Sequence, residues 1–131
     1  MYSILIVEDH APLAWGVERY LSSHLDSPLI NITSTGKDCL EMLKKNNYDI
    51  ILLDINLPDI GGEELCRTIK SSHPGVRILA LTGAIDRASV ANMLRAGASG
   101  YVIKTSIVDE LIEGIGSVLR GERYISRDIA K

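Results

Sequence analysis

The fold of this chain follows from one stretch, Asp49-Ile50-Ile51-Leu52-Leu53-Asp54-Ile55-Asn56-Leu57-Pro58. Its four central apolar residues end at a carboxylate, and a loop with Pro58 and Gly61-Gly62 comes next. Three other apolar runs also end at polar or charged side chains: 3–7 before Glu8-Asp9, 77–81 before Thr82, and 100–103 before Lys104. Short apolar runs separated by helix-like segments are typical of parallel strands buried on both faces.

The segments between these runs have the spacing of helices. The first repeats an apolar residue every four positions, as on one face of an amphipathic helix: Leu13, Val17, Leu21 and Leu25. Asp86 is predicted to cap a later helix, and Gly97 to end it. The last helix is predicted to begin at Ser106-Ile107-Val108-Asp109, which has the form of a capping box.

The alternation of strands and helices predicts the fold class. Strands are expected at 3–7, 29–33, 49–53, 77–81 and 100–103. Five β-α repeats imply right-handed crossovers, which give a parallel sheet with helices on both faces. We therefore predict an α/β fold of the flavodoxin-like (βα)5 type, with a doubly wound, five-stranded parallel sheet.

Composition limits the functions open to the chain. Its 131 residues suit one domain, and its 14 basic and 17 acidic residues give a net charge of −3. It has no basic run for nucleic acid, no apolar stretch long enough to cross a membrane, and no recognisable export signal. Cys39 and Cys66 lack metal-ligand spacing and are expected as buried free thiols, so we predict a reducing, cytoplasmic location.

The strand ends predict a phosphoryl-transfer site, because functional groups collect at the carboxyl edge of such sheets. Glu8, Asp9 and Asp54 form an oxygen-rich cluster that favours Mg²⁺. Asp54 is suited to act as a nucleophile that forms an aspartyl phosphate. Lys104 would neutralise phosphoryl oxygens, and Thr82 would donate its hydroxyl to the product. Each residue alone is more often a cap, a solvated charge or a strand residue; their occurrence at four strand ends favours the site.

Four motifs resemble the receiver domain of two-component response regulators. They are Ile4-Leu5-Ile6-Val7-Glu8-Asp9-His10, the stretch 49–58 with Gly62, Leu79-Ala80-Leu81-Thr82-Gly83, and Ala96-Gly97-Ala98-Ser99-Gly100-Tyr101-Val102-Ile103-Lys104. The resemblance covers nearly the whole chain. It implies that Asp54 accepts phosphate from a phosphohistidine on a sensor histidine kinase. It also implies that Asp9, Asp54 and the backbone carbonyl of Asn56 ligate Mg²⁺, with Glu8 supporting the cluster.

The resemblance further implies a conformational switch. Thr82 and Tyr101 match a pair in which the hydroxyl turns toward the phosphate and the aromatic ring swings inward. The readout face would be the fourth helix, fifth strand and fifth helix. Such a domain is not a separate enzyme, since it catalyses only its own phosphorylation and dephosphorylation at Asp54.

Parts of the chain resemble the NarL/LuxR-type subfamily, whose members carry a helix-turn-helix domain. These parts are Asp9-His10, Gly16-Val17 and the ending 118–126. The expected division is a receiver domain at 1–121 and, at 122–131, the start of a linker to a helix-turn-helix domain absent from this chain. The protein would then control transcription, binding DNA only through that absent domain. The alternative is a receiver that works alone.

Thr105 departs from the family pattern. Many receivers have a proline after the lysine that matches Lys104, usually with a cis bond. A cis bond before a non-proline residue costs roughly 2.5–4 kcal/mol. The geometry of the bond between Lys104 and Thr105 is therefore left open.

Trp15 is the candidate interface residue. It lies about 200° around the first helix from Leu13, on the side of Glu18 and Arg19. Tryptophan is enriched at interface hot spots, and the alternative is that its ring folds against a neighbouring loop. The resemblance suggests two partners for this helix: the helical bundle of the sensor kinase, or a second copy of the chain in a homodimer.

Three other functions agree less well with the sequence. A phosphohydrolase of the haloacid-dehalogenase type normally has an acid/base carboxylate where Asn56 stands, and an amide cannot move a proton. A flavodoxin-like nucleotide or flavin binder needs a glycine-containing phosphate loop after the first strand, but residues 8–12 are acidic and lack glycine. A degenerate receiver that acts only through interactions is disfavoured by the complete set of site residues.

Overall fold

The computed structural model describes residues 2–83 and 86–130, which form an α/β fold. The strands are β1 Ser3–Val7, β2 Leu29–Thr33, β3 Ile50–Asp54, β4 Arg77–Thr82, β5 Gly100–Ile103 and β6 Tyr124–Ile125. The helices are α1 Ala11–His24, α2 Gly36–Lys45, α3 Gly62–Ser72, α4 Arg87–Arg95, α5 Ile107–Leu119 and α6 Arg127–Ala130. A 3-10 turn at Lys104–Ser106 connects β5 to α5.

The strands form one parallel sheet in the order β2-β1-β3-β4-β5-β6. The predicted α/β class and the positions of the first five strands are confirmed, but the predicted number of five strands is wrong. The sixth strand pairs Tyr124 with Gly100 and Ile125 with Tyr101. A strand of two residues has no detectable periodicity, and its pairing depends on contacts distant in sequence.

Two apolar clusters lie on opposite faces of the sheet. One contains alternate strand residues with buried residues of α2, α3 and α4, among them Cys39, Leu65 and Met93. The other contains the alternate set with α1 and α5, among them Leu21 and Leu111. Both cysteines are free and buried, as predicted. In the described part of the chain, no helix has the length and apolar character needed to span a membrane.

Local signals at the helix ends have mixed outcomes. Asp86 caps α4 by accepting a hydrogen bond from the Ala88 N–H (3.0 Å), and Gly97 follows this helix with φ +113°, so both predictions are confirmed. The predicted capping box at Ser106 is wrong, because that side chain makes no cap hydrogen bond and a 3-10 turn precedes the helix. The described residues contain no cis peptide bond, so Lys104 and Thr105 are joined in trans.

Candidate functional site

The acidic cluster lies where β1 and β3 end side by side. Val7 pairs with Leu53, which places Glu8 next to Asp54 at the carboxyl edge of the sheet. Glu8, Asp9 and Asp54 each place an oxygen within 4.8 Å of the others. Glu8 and Asp54 are 2% and 1% exposed, whereas Asp9 is open to solvent. The three predicted carboxylates are therefore brought together.

Lys104 reaches this cluster from the end of β5, across β4. Its Nζ lies 2.8 Å from Glu8 Oε1 and 3.4 Å from Asp54 Oδ2. Burial lowers the pKa of Lys104, but the hydrogen bond with Glu8 and the charge of Asp54 outweigh that effect and raise it. The ammonium is therefore held in its charged form between two buried carboxylates.

The cluster has more negative than positive charge. Burial raises the pKa of Glu8, and Asp54 adds to the shift, while Lys104 and the His10 N–H oppose it. Three carboxylates and one ammonium leave an excess of two negative charges when all are ionised. A small divalent cation bound by oxygen ligands would balance that excess, so these residues fit Mg²⁺.

The loop after β3 is folded tightly around Asp54. The Asn56 N–H donates to Asp54 Oδ1 (3.0 Å), and the Gly62 N–H donates to the Ile55 carbonyl (3.1 Å). Asn56 also forms an isolated β-bridge with Gly61. A Cβ on Gly62 would lie 2.6 Å from the Ile55 backbone, so only glycine fits there. The loop holds the Asn56 backbone next to the carboxylates.

Thr82 and Tyr101 lie on adjacent strands, and both are fully buried. Tyr101 pairs with Ala80 on β4, two residues before Thr82. Burial raises the pKa of the Tyr101 phenol, the neighbouring Thr82 hydroxyl partly opposes the shift, and the charge of Asp86 adds to it. The ring is thus inside the core that faces α4.

Trp15 lies away from these groups, on the outer surface of α1. Its side chain is 63% exposed, close to Glu18 and Arg19. The structure therefore does not show the alternative in which the Trp15 ring folds against a neighbouring loop. Whether Trp15 contacts a partner stays a prediction.

Sequence reasoning missed a second group of polar residues beside β5. Glu110 is 3% exposed and accepts hydrogen bonds from Tyr124 Oη (2.6 Å) and the Arg127 N–H (3.0 Å). The Ser126 hydroxyl, fully buried, accepts from the Ile103 N–H (2.9 Å). The one available signal in the sequence was the alternation of side chains at Tyr124, Ile125 and Ser126. Three residues are too few to distinguish a short strand from a linker.

A family model described as the response regulator receiver domain matches residues 4–116. The chain therefore belongs to the response regulator receiver domain family, in which phosphorylation of an aspartate is the standard mechanism. This confirms the family resemblance found in the sequence motifs.

Among curated proteins, the chain is 34% identical over 131 residues to response regulator UvrY of Escherichia coli K12, covering 100% of this chain and 60% of that protein. It is 30% identical to response regulator GacA of Pseudomonas aeruginosa, covering 100% of this chain and 61% of that protein. The chain thus spans about three fifths of the length of these relatives.

Solved structures are similar over almost the whole chain. A LuxR-family two-component response regulator from Aurantimonas is 30% identical with a TM-score of 0.93, covering 99% of this chain and 93% of that one. A CheY-like receiver domain protein from Methanospirillum hungatei is 26% identical with a TM-score of 0.85, covering 92% and 95% of the two chains. The chain is a receiver domain with relatives among transcription regulators.

Proposed function

We propose that Asp54 is the residue phosphorylated in this receiver domain. The observation that carries this assignment is the burial of Asp54 beside Glu8, with the Lys104 ammonium in contact with both carboxylates and Asp9 within reach at the open edge. Within the described residues, this is the group of carboxylates that meets an ammonium at the carboxyl edge of the sheet. Asp9, Asp54 and the backbone carbonyl of Asn56 would ligate Mg²⁺, and Glu8 would support the cluster.

The residues divide the chemistry among them. A carboxylate oxygen of Asp54 attacks the phosphorus of the donor, so that a P–O bond forms as the donor's bond to phosphorus breaks. Lys104 neutralises charge on the phosphoryl oxygens, and the Thr82 hydroxyl donates to one of them. When bound, Mg²⁺ supplies further positive charge at the same oxygens.

The physiological donor we propose is a phosphohistidine on a sensor histidine kinase.

The switch would consist of Thr82 and Tyr101, and the buried ring of Tyr101 corresponds to the inward position. On phosphorylation, nuclear magnetic resonance shifts should extend through residues 82–105. Changes confined to 54–62 would contradict a switch at Thr82 and Tyr101.

The wider role rests on the longer relatives. We infer that residues 1–121 act as the receiver domain of a transcription regulator, and that 122–131 lead toward a DNA-binding helix-turn-helix domain. The free buried thiols of Cys39 and Cys66 suit a cytoplasmic protein.

The chemistry can be tested without knowing the kinase. Intact-mass spectrometry after incubation with acetyl phosphate and Mg²⁺ should show one added phosphate on the wild-type chain. Asp54→Asn keeps the shape of the side chain but removes the nucleophilic oxygen, so it should show none. An unchanged mass increase in Asp54→Asn, with the phosphate on no neighbouring group, would contradict the assignment.

Trp15 is the proposed docking residue on α1. It lies on the exposed side of this helix with Glu18 and Arg19, and its ring is 63% exposed, so a large aromatic side chain is open to a partner there. Trp15→Ala should slow phosphotransfer from the kinase bundle or weaken a homodimer, and leave acetyl-phosphate labelling of Asp54 unchanged. A variant normal in both transfer and self-association would leave Trp15 without a docking role.

A further inference from the structure

The Asp59 carboxylate joins two parts of the fold that are distant in sequence. Asp59 lies in the loop 55–61 between β3 and α3. Its Oδ1 accepts a hydrogen bond from the Gly36 N–H (2.9 Å), and its Oδ2 accepts one from the Lys37 N–H (3.0 Å). These are the first two residues of α2. The side chain thus holds the loop against the start of a helix.

This contact is separate from the helix's own cap. The Thr35 hydroxyl accepts from the Asp38 N–H (3.1 Å), and the Thr35 carbonyl accepts from the Cys39 N–H (3.0 Å). Thr35 therefore caps α2 from within its own segment. Asp59 adds a connection that the local sequence of α2 does not supply.

A close apolar contact reinforces the connection. Ile60 packs against the Cα of Gly36 so closely that a Cβ at this position would overlap the Ile60 side chain. Hydrogen bonds from the Gly36 and Lys37 N–H groups lower the pKa of the Asp59 carboxyl, so it accepts as a carboxylate at neutral pH.

The other end of the same loop is the part that faces the acidic cluster. Asn56 donates from its N–H to Asp54 Oδ1, and the bridge between Asn56 and Gly61 closes the loop on itself. Asp59 lies within this closed loop, so its contact with α2 and the Asn56–Gly61 bridge restrain the same short segment.

We propose that Asp59 is a positioning residue, which holds the loop 55–61 in the conformation that presents the Asn56 carbonyl and Asp54 to the divalent cation. The proposal rests on the proposed Mg²⁺ site and assigns no contact between Asp59 and the ion. A loop released from α2 would adopt the binding conformation for only part of the time. The apparent affinity falls in proportion to that fraction.

The test compares Asp59→Ala with Thr35→Ala. Asp59→Ala removes two hydrogen bonds from the start of α2 and Thr35→Ala removes one, but only Asp59→Ala releases the loop. Mg²⁺ is titrated without any phosphodonor, and the amide signals of Asn56 and Gly61 are followed by nuclear magnetic resonance. If the released loop of Asp59→Ala is in the Mg²⁺-binding conformation for about a quarter of the time, the Kd for Mg²⁺ rises about fourfold. Thr35→Ala should keep the wild-type Kd, and Asp59→Asn, which keeps one acceptor oxygen, should lie between.

A Kd for Asp59→Ala equal to that of the wild type would overturn the proposal, and so would equal losses in Asp59→Ala and Thr35→Ala. Hydrogen exchange of the Gly62 amide without Mg²⁺ tests the tether independently, and it should become faster in Asp59→Ala only. A wild-type chain that bound no Mg²⁺ would contradict the proposed metal site and, with it, this role for Asp59. Faster exchange of the Gly62 amide in Asp59→Ala would then show that Asp59 tethers the loop to α2 but has no role in binding Mg²⁺.

Discussion

Two glutamates of this chain are almost equally buried, yet their carboxyl pKa values shift in opposite directions. Glu8 is 2% exposed and its pKa is raised, whereas Glu110 is 3% exposed and its pKa is lowered. Burial alone would raise both, because it disfavours the charged form. The sign therefore depends on whether hydrogen bonds and charges from the neighbours outweigh the effect of burial.

Glu110 is surrounded by hydrogen-bond donors. Burial raises its pKa, but the Tyr124 hydroxyl and the Arg127 N–H outweigh this and lower it. For Glu8, burial raises the pKa and the carboxylate of Asp54 adds to the shift, while the hydrogen bonds with Lys104 and the His10 N–H offset only part of it. A buried carboxylate with all its hydrogen bonds made, such as Glu110, stabilises the fold. Two buried carboxylates side by side at an open edge, such as Glu8 and Asp54, are typical of a functional site.

The two regions meet on β5. Lys104 follows its last residue, and the segment after α5 pairs along its free edge. The Ser126 N–H donates to the Tyr101 carbonyl (2.9 Å), and the Ser126 hydroxyl accepts from the Ile103 N–H (2.9 Å). By accepting hydrogen bonds from Tyr124 and Arg127, the carboxylate of Glu110 holds the segment after α5 against β5, the strand that carries Tyr101.

The largest expected difference between the regions is in phosphorylation. Asp9→Ala should abolish labelling by acetyl phosphate, because it removes a proposed ligand of a cation that keeps several waters and receives few protein oxygens. Glu110→Gln should be labelled like the wild type. Intact-mass spectrometry measures both, with circular dichroism to show that each variant is folded. Labelling of Asp9→Ala at the wild-type rate would mean that the cation is held elsewhere.

The next effect is on stability. Glu110→Gln should lower the free energy of unfolding by about 1–3 kcal/mol, because a buried acceptor of two hydrogen bonds loses its charge. Urea unfolding measures the change. Tyr124→Phe is the matched control, since it removes one donor and leaves the carboxylate in place. No loss in either variant would contradict a stabilising role for Glu110.

The pH dependence of this loss follows from the lowered pKa. The contribution of Glu110 is fully present above the ordinary glutamate pKa of 4.5 and is lost as pH falls through the lower value in the folded state. The difference between wild type and Glu110→Gln should therefore be constant near pH 7 and shrink in acid. Urea midpoints measured from pH 7 to pH 3 test this, and a difference that grew in acid would contradict the sign.

The smallest effect is expected at Glu8, and in the opposite direction. Its raised pKa means that the charged form is disfavoured in the fold, so Glu8→Gln should raise stability at pH 7 by less than Glu110→Gln lowers it. The gain should fade in acid as the wild-type residue takes up its proton. Urea unfolding without Mg²⁺ is the measurement, and a loss of stability would show that the pair with Lys104 outweighs the cost of burying the Glu8 charge.

The local sequence was sufficient for most of the sheet. The runs before Glu8, Asp54, Thr82 and Lys104 are strands in the structure because apolar residues in short runs are buried wherever they pair. Their order also predicted that these ends would share one edge. The structure places Glu8, Asp9, Asp54 and Lys104 together there, as expected from parallel pairing.

Tertiary structure alone decided how these groups act on each other. The opposite pKa shifts of Glu8 and Glu110, the strand at Tyr124–Ile125 and the tether at Asp59 all depend on partners far away in sequence. The periodicity of apolar residues predicts which face of a helix or strand is buried, but it does not predict which residues from other segments contact that face. Hydrogen bonds and charge interactions depend on distances of a few ångströms, which the fold sets when it brings separate segments into contact.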